Sequence, residues 1–341
     1  MLTTPFCRTL GIEAPVLSVG FGAGAGAELA AAVSNAGGLG VLGFASARRA
    51  EVSTVVEGTQ ALTERRFGAN VLLVNDTSPE VVDACLEQGV AVLVFFWGDV
   101  APYVERTHDA GARVLIQVGS VEEARRAVDV GVDAVIAQGF EAGGHVRGTT
   151  ALSVLVPSVV DAIAPVPVVA SGGIADGRGL AAALTLGAQA VSLGTRFVAS
   201  TEAYVPEEWK GRLPLATAED TVYADDLFDR GWPAPHRVLR NRLVREWEET
   251  GRKEDGVVGE LVRVTGERVQ VPRWAPFMAT PAFDGDLEQS SLWTGQSVEL
   301  VHDVKDAGDI VRDLVREAEL ALYSVTTYSN AAQHSSANTA S

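Results

Sequence analysis

The chain has 341 residues, 47% of them hydrophobic and 21% charged, with a formal net charge of −17. That apolar content supports one large core or a barrel with an appended lobe, and the acidic balance argues against a nucleic-acid partner, whose phosphates demand a basic face. No apolar run reaches the roughly 18–20 residues of a membrane span. No basic patch followed by a long apolar core marks a secretory leader. The two cysteines, Cys7 and Cys85, have no C-x-x-C spacing, so a reducing, cytoplasmic setting without a metal site is expected.

In chain order, short apolar runs at 16–19, 39–42, 68–73, 91–95, 113–117, 134–137, 166–170 and 190–193 read as strands. Between them lie amphipathic, alanine-rich stretches such as 27–36, 79–88, 121–130 and 176–186. In 121–130, Val121, Ala124 and Val128 recur three to four apart and the charged residues fall elsewhere, which is the pattern of a one-sided helix. Gly37, Gly89, Gly111, Gly131 and Gly187 stand where those helices should stop. Continuous apolar strands alternating with one-sided helices predict a parallel sheet covered by helices, and eight such units close a barrel.

The expected fold class is therefore α/β, a (β/α)8 TIM barrel over residues 1–199. Residues 200–300 are richer in charge, Trp and Pro and read as a mostly helical lobe at the barrel mouth, with a basic-acidic helix at 237–249. A C-terminal helix within 301–325, amphipathic over 307–323, returns to the barrel and completes the eighth unit. The polar tail, 326–341, reads as disordered.

Three glycine-rich segments follow the later strands. A-Q-G-F-E-A-G-G-H-V-R-G at 137–148 sets His145 behind Gly143 and Gly144. A titratable imidazole on such a loop at a strand end suits a general base. Glu141 and Arg147 stand close enough in sequence to tune it, and Arg147 could also pair with an anionic substrate. S-G-G-I at 171–174 and G-T-R-F at 194–197 follow the seventh and eighth strands. Bare main-chain N–H groups of Gly172, Gly173 and Gly194, next to Ser171 and the Thr195 hydroxyl, would make a phosphate cradle where barrels often hold one. Asp176 could open the helix after the seventh strand.

The first turn holds four glycines between Gly20 and Gly26. No acidic residue ends the second strand, so a dinucleotide fingerprint is a poor reading. Backbone passing close to a planar ring is a better one. Asn70, Gln117 and Gln138, near other strand ends, could meet ring heteroatoms, or each could be a satisfied core amide.

These residues make the chain resemble the nitronate monooxygenases, once called 2-nitropropane dioxygenases, from about Pro15 to Leu322. The specific matches are A-A-V-S-N-A-G-G-L-G at 31–40, F-G-A-N at 67–70, Q-V-G-S-V-E-E-A at 117–124, Q-G-F-E-A-G-G-H at 138–145, A-S-G-G-I-A-D-G-R-G at 170–179 and G-A-Q-A-V-S-L-G-T-R-F at 187–197, with R-V-L-R-N-R at 237–242 and T-G-Q-S at 294–297. The resemblance implies a barrel with a helical lobe and noncovalent FMN. It gives His145 the role of active-site histidine and Gly172, Gly173, Gly194 and Thr195 the phosphate. It places Val19, Gly20, Phe21, Asn70 and Gln138 around the flavin ring.

The implied reaction is oxidation of an alkyl nitronate, with O2 as electron acceptor, to a carbonyl compound and nitrite. The histidine would remove the α-proton of a neutral nitroalkane. Two departures stand out. Gly20 and Phe21 replace the family's usual Pro-Met, and Phe95-Phe96-Trp97-Gly98 replaces its S-F-x-F-G.

The alternative keeps the flavin and makes the chain an FMN-dependent NAD(P)H reductase, like the enoyl-acyl-carrier-protein reductases or quinone reductases. A third reading is a flavin-binding scaffold without turnover. A homodimer is compatible with all three, and no metal is expected.

Overall fold

The structure, a computed structural model, describes residues 2–74, 78–252 and 255–337. Its centre is an eight-stranded parallel sheet. In chain order the strands are β1 (Val16–Ser18), β2 (Val41–Gly43), β3 (Gly68–Leu72), β4 (Val92–Phe96), β5 (Arg113–Val118), β6 (Ala134–Gln138), β8 (Val168–Ser171) and β9 (Ala190–Leu193). A two-residue β7 (Gly144–His145) lies outside that sheet. The sheet order is β1-β9-β8-β6-β5-β4-β3-β2. A parallel bridge from Leu17 to Leu39, with Ser18 N–H donating to Leu39 O at 3.1 Å, joins β1 to the approach of β2 and closes the barrel.

Strand positions agree with the apolar runs to within two residues, because a strand buried on both faces has no polar alternation to blur its ends. The two faces still differ. Leu17, Val92, Val94, Leu115, Ile136 and Val169 fill the barrel interior, while Val16, Leu93, Phe95, Val114 and Val135 face the surrounding helices.

The covering helices are α2 (Ala27–Asn35), α3 (Arg49–Leu62), α4 (Ser78–Glu87), α5 (Ala101–Asp109), α6 (Val121–Asp129), α7 (Leu152–Ile163) and α8 (Gly177–Thr185). Asp176 caps α8 by accepting from the N–H groups of Arg178 and Gly179. A preceding helix, α1 (Pro5–Leu10), plugs the N-terminal end of the barrel with Phe6, Cys7 and Leu10. It is tied down where Thr4 Oγ1 donates to Gln189 O at 2.7 Å and Phe6 N–H donates to Gln189 Oε1 at 3.0 Å.

After a short α9 (Thr195–Val198) the chain leaves the barrel. It returns where Ser200 bridges Lys305 and Arg196 pairs with Asp303 at 2.5 Å. The long α12 (Ala307–Ala337) then packs between α8 and α2. Gly177 permits this, since a Cβ there would stand 2.2 Å from the Cβ of Glu317, whose carboxylate accepts the Gly177 N–H at 3.1 Å. Residues 326–337, expected to be disordered, continue α12, because extending a formed helix costs far less than starting one. The last four residues of that expected tail lie outside the described residues.

The lobe differs from the helical expectation. Besides the short α10 (Glu207–Arg212) and α11 (Arg242–Thr250), it carries β10 (Thr221–Ala224), β11 (His236–Leu239), β12 (Val257–Val262), β13 (Arg268–Pro272) and β14 (Phe283–Gly285). They form two three-stranded sheets, β10-β11-β7 and β13-β12-β14. The expected helix at 237–249 splits at Asn241, whose side chain caps α11 by accepting the Val244 N–H at 3.0 Å. The residues before the cap, His236 to Leu239, are strand.

Candidate active site

Every barrel strand ends at one cavity of about 480 Å³. Lobe residues 230–232 and 275–278, with Leu261, Trp293 and Ser297, form the lobe's part of its wall. All the sequence-derived site residues meet there except one. Val19, Gly20, Phe21, Asn70, Gln117, Gln138, Gly143, Gly144, His145, Ser171, Gly172, Gly194 and Thr195 line the cavity, and Gly173 does not. With φ +70°, Gly173 turns the loop against Glu141.

Two close approaches explain glycines that composition alone could not. A Cβ at Gly20 would lie 2.5 Å from Leu42 O and 2.6 Å from Asn70 Cβ, so the first turn rests directly on β2 and β3. The proline of the related pattern has no room there. A Cβ at Gly143 would lie 2.3 Å from Gly295 N, where the His145 loop crosses the T-G-Q-S segment. That crossing is held by Gly295 N–H donating to Thr195 Oγ1 at 2.9 Å and Gln296 N–H donating to Glu141 O at 2.9 Å. Thr195 therefore accepts from the lobe with its oxygen and keeps its own O–H to donate.

The His145 segment is β7, the edge strand of the lobe sheet, with His145 paired opposite His236 on β11. Gln138 locks it from the barrel side. Its Nε2 donates to His145 O at 2.8 Å, and its Oε1 accepts the Arg147 N–H at 2.8 Å. Of the two roles open to the Gln138 amide, ring contact or satisfied core amide, its main-chain bonds give the second, and through them it positions the histidine.

The His145 ring stacks on Trp232, centroids 3.6 Å apart and planes 28° from parallel, with Trp293 at 5.1 Å. Trp97 approaches it edge-on at 6.3 Å. The buried His145 Nε2 has no hydrogen-bond partner. Burial first, and the neighbouring His236 second, hold the His145 pKa well below the ordinary 6.5, so the ring is neutral at pH 7.

His236 is fully buried. Its Nδ1–H donates to Ala234 O at 3.1 Å and its Nε2 accepts the Phe228 N–H at 3.2 Å, which fixes one neutral tautomer. Burial lowers its pKa too. Sequence reasoning passed over His236 because it has no glycine frame. Its signal, pairing with His145 across a sheet, is not local. The same holds for Trp97, Trp232 and Trp293.

Trp97 has φ +59°, a left-handed conformation rare for a bulky residue and costing about 1–2 kcal/mol. The Arg147 guanidinium lies 4.5 Å over its ring while Arg147 Nε donates to Glu123 Oε1 at 2.7 Å. Arg147 is thus already paired, not a free anion receptor.

Among the described residues no helix is long and apolar enough to cross a membrane, and no group of three or more His, Cys, Asp or Glu could hold a metal. Both cysteines are free and buried, and burial pushes the Cys85 thiol pKa up to about 12.

The sequence model of the nitronate monooxygenase family matches residues 4–90 and 77–317. A Mycobacterium tuberculosis protein named (3aS,4S,5R,7aS)-5-hydroxy-7a-methyl-1-oxo-octahydro-1H-indene-4-carboxyl-CoA dehydrogenase is 40% identical over 253 residues, covering 74% of this chain and 70% of its own. A probable nitronate monooxygenase from Staphylococcus saprophyticus is 29% identical over 367 residues, covering 93% and 98%. Among solved structures, FabK from Thermotoga maritima superposes with a TM-score of 0.84 at 33% identity, covering 96% of this chain and 100% of that one.

Proposed function

The chain belongs to the nitronate monooxygenase family, and from that premise we propose that this flavin-dependent oxidoreductase uses FMN to oxidise alkyl nitronates, and the neutral nitroalkanes behind them. O2 is the final acceptor, and a carbonyl compound and nitrite are the products. The observation that carries the reading is the buried, orphaned Nε2 of a neutral, half-buried His145 in a cavity that every strand of the barrel reaches.

The residues present fit FMN. The cavity has the volume of a ligand site. The main chain from Val19 to Phe21 has no side chain at its Gly20 step and would let a flat ring lie close. Asn70 and Gln117 would border that ring. Gly172, at φ +95°, and Gly173, at φ +70°, shape a loop whose N–H groups suit a phosphate, with Ser171, Gly194 and Thr195 beside it. When bound, FMN would supply the electron acceptor.

The protein's own work is proton removal and positioning. Trp232 and Trp293 exclude water from His145 and keep the ring unprotonated. Gln138 and the β7–β11 pairing fix where Nε2 points. Nε2 accepts the α-proton of a neutral nitroalkane, and a pre-ionised nitronate bypasses that step.

In a second reading the flavin takes its electrons from NAD(P)H; an acyl thioester as the substrate of this site is favoured by the 40% identity to the Mycobacterium tuberculosis protein named a carboxyl-CoA dehydrogenase. One experiment separates the two. The purified protein should carry a flavin absorbance spectrum, and anaerobic mixing with propyl-2-nitronate should bleach it. Rapid bleaching by NADH or NADPH but not by the nitronate would install the second reading. A colourless protein that takes up no added FMN would end both.

A further inference from the structure

A second cavity of about 630 Å³ opens beside the first, between the β4–α5 turn and α6. Gln117 lines both. Trp97 lines the second while its ring packs edge-on against Trp232, 5.3 Å away, and His145, both walls of the first. Gln117 thus borders both spaces, and Trp97 stands where they meet, lining the second and touching the walls of the first.

The Trp97 main chain is pinned. Gly98, at φ +138°, follows it, and a Cβ there would lie 2.5 Å from Leu73 Cβ and 2.8 Å from Leu73 O. Arg147 covers the outer face of the Trp97 ring, itself anchored to Glu123.

The floor of the second cavity is apolar, made by Val100, Ile116, Val118 and Ala127. Its rim holds Asp99, Glu123 and Asp129 against Arg126 and Arg147. Arg147 is paired with Glu123, and Arg126 with Glu122 at 3.3 Å. The rim carboxylates outnumber the two rim cations, each of which already faces a glutamate, so the rim disfavours a phosphate or a carboxylate and the space suits an uncharged chain.

We propose that the second cavity is the binding site for the linear apolar chain carried by the reacting carbon, which crosses from the His145 cavity over Gln117 and beside Trp97. The enzyme's substrates are then long-chain, with the acidic carbon at His145 and the tail between α5 and α6. This rests on the reading of the His145 cavity as the reaction site. It does not depend on which electron partner is used.

The test is calorimetric binding to the flavin-loaded protein of inert n-alkanoates from propanoate to decanoate, whose planar carboxylate mimics the nitronate group. Burying a methylene strengthens binding by about fourfold, so decanoate should bind about 100-fold or more tighter than propanoate. Val130→Trp and Ala101→Trp each place an indole on the exposed rim of the second cavity, where neither side chain is part of the core. In each variant that ratio should fall at least about tenfold, the worth of two methylenes.

A ratio equal in wild type and both variants would overturn the tail site, and so would a flat series in the wild type. A missing propanoate signal beside an intact gain for long chains would instead overturn the placement of the head group at His145.

Discussion

At the N-terminal end of the barrel, Phe6, Cys7 and Leu10 are exposed by 1% or less, and α1 is tied to Gln189 by two hydrogen bonds. At the C-terminal end, the same strands run out into glycines, an orphaned imidazole nitrogen and a tryptophan in a left-handed conformation. One end is closed by packing and satisfied polar groups, which is where stability resides. The other leaves a buried polar atom without a partner and a strained backbone, both of which cost free energy and are kept where they serve a ligand. The contrast supports the proposed site at one rim of the barrel.

Deleting the imidazole tests the mouth most severely. His145→Ala should lower kcat/KM for a neutral nitroalkane roughly 10²–10⁴-fold, the usual worth of a positioned base, and affect the pre-ionised nitronate far less. Comparing the two substrates in steady-state assays checks this. Equal losses on both would remove the proton-acceptor role.

The mirror experiment belongs at the plug. Phe6→Ala should cost about 3–5 kcal/mol of stability by opening a cavity in a site that cannot collapse, with KM and the flavin spectrum unchanged. Urea titration reads the first and assays below the transition read the second. A changed KM would mean that the two ends are coupled, and the division drawn between them would fail.

Gln138→Leu comes next in size. It leaves His145 O and the Arg147 N–H without their partner, a cost of about 1–3 kcal/mol if neither finds water. Because the lost groups hold the base rather than touch the ligand, kcat should fall with KM nearly constant. Gln138→Glu, which keeps the oxygen that accepts from Arg147, should recover part of the loss. A rise in KM alone would return Gln138 to the role of a ring contact.

The same contrast explains what could be read before the structure. Barrel strands were legible because two-sided burial writes them as short, mostly apolar runs, and all but the third are followed within three residues by glycine. The mouth loops were legible because glycines forced by close approach, such as Gly20 and Gly143, stay in the sequence as glycines. The lobe was not. Its strands are short and carry charge, as in V-V-G-E-L-V at 257–262 and H-R-V-L at 236–239, and the latter runs without a break into the capped helix α11. Trp97, Trp232 and Trp293 are separated by long stretches of chain, and nothing local says that they converge on one imidazole. Gln138 lines the mouth cavity, yet the partners of its amide lie seven and nine residues on, in a loop whose path periodicity does not give.

The smallest effect is a pH dependence, and it is confined to the mouth. His145 and His236 both have folded pKa values below 6.5 because burial penalises the cation. Below pH 6.5 the unfolded chain binds protons that the folded chain refuses, so stability is full above that pH and is lost as pH falls toward the folded values. Each histidine contributes a slope of up to about 1.4 kcal/mol per pH unit, and the pair up to about 2.7. Urea midpoints measured from pH 7.5 down to 5 should show this acid limb. His236→Leu should lower the plateau, because the Phe228 N–H loses its acceptor, and should also flatten the limb by the share of one histidine. The kcat/KM for a neutral nitroalkane should in turn stay level through the ordinary histidine range and fall only below it, where Nε2 finally takes a proton from water. A base whose activity is lost near pH 6.5 would instead be solvated, and the tryptophan enclosure around His145 would not be what holds it neutral.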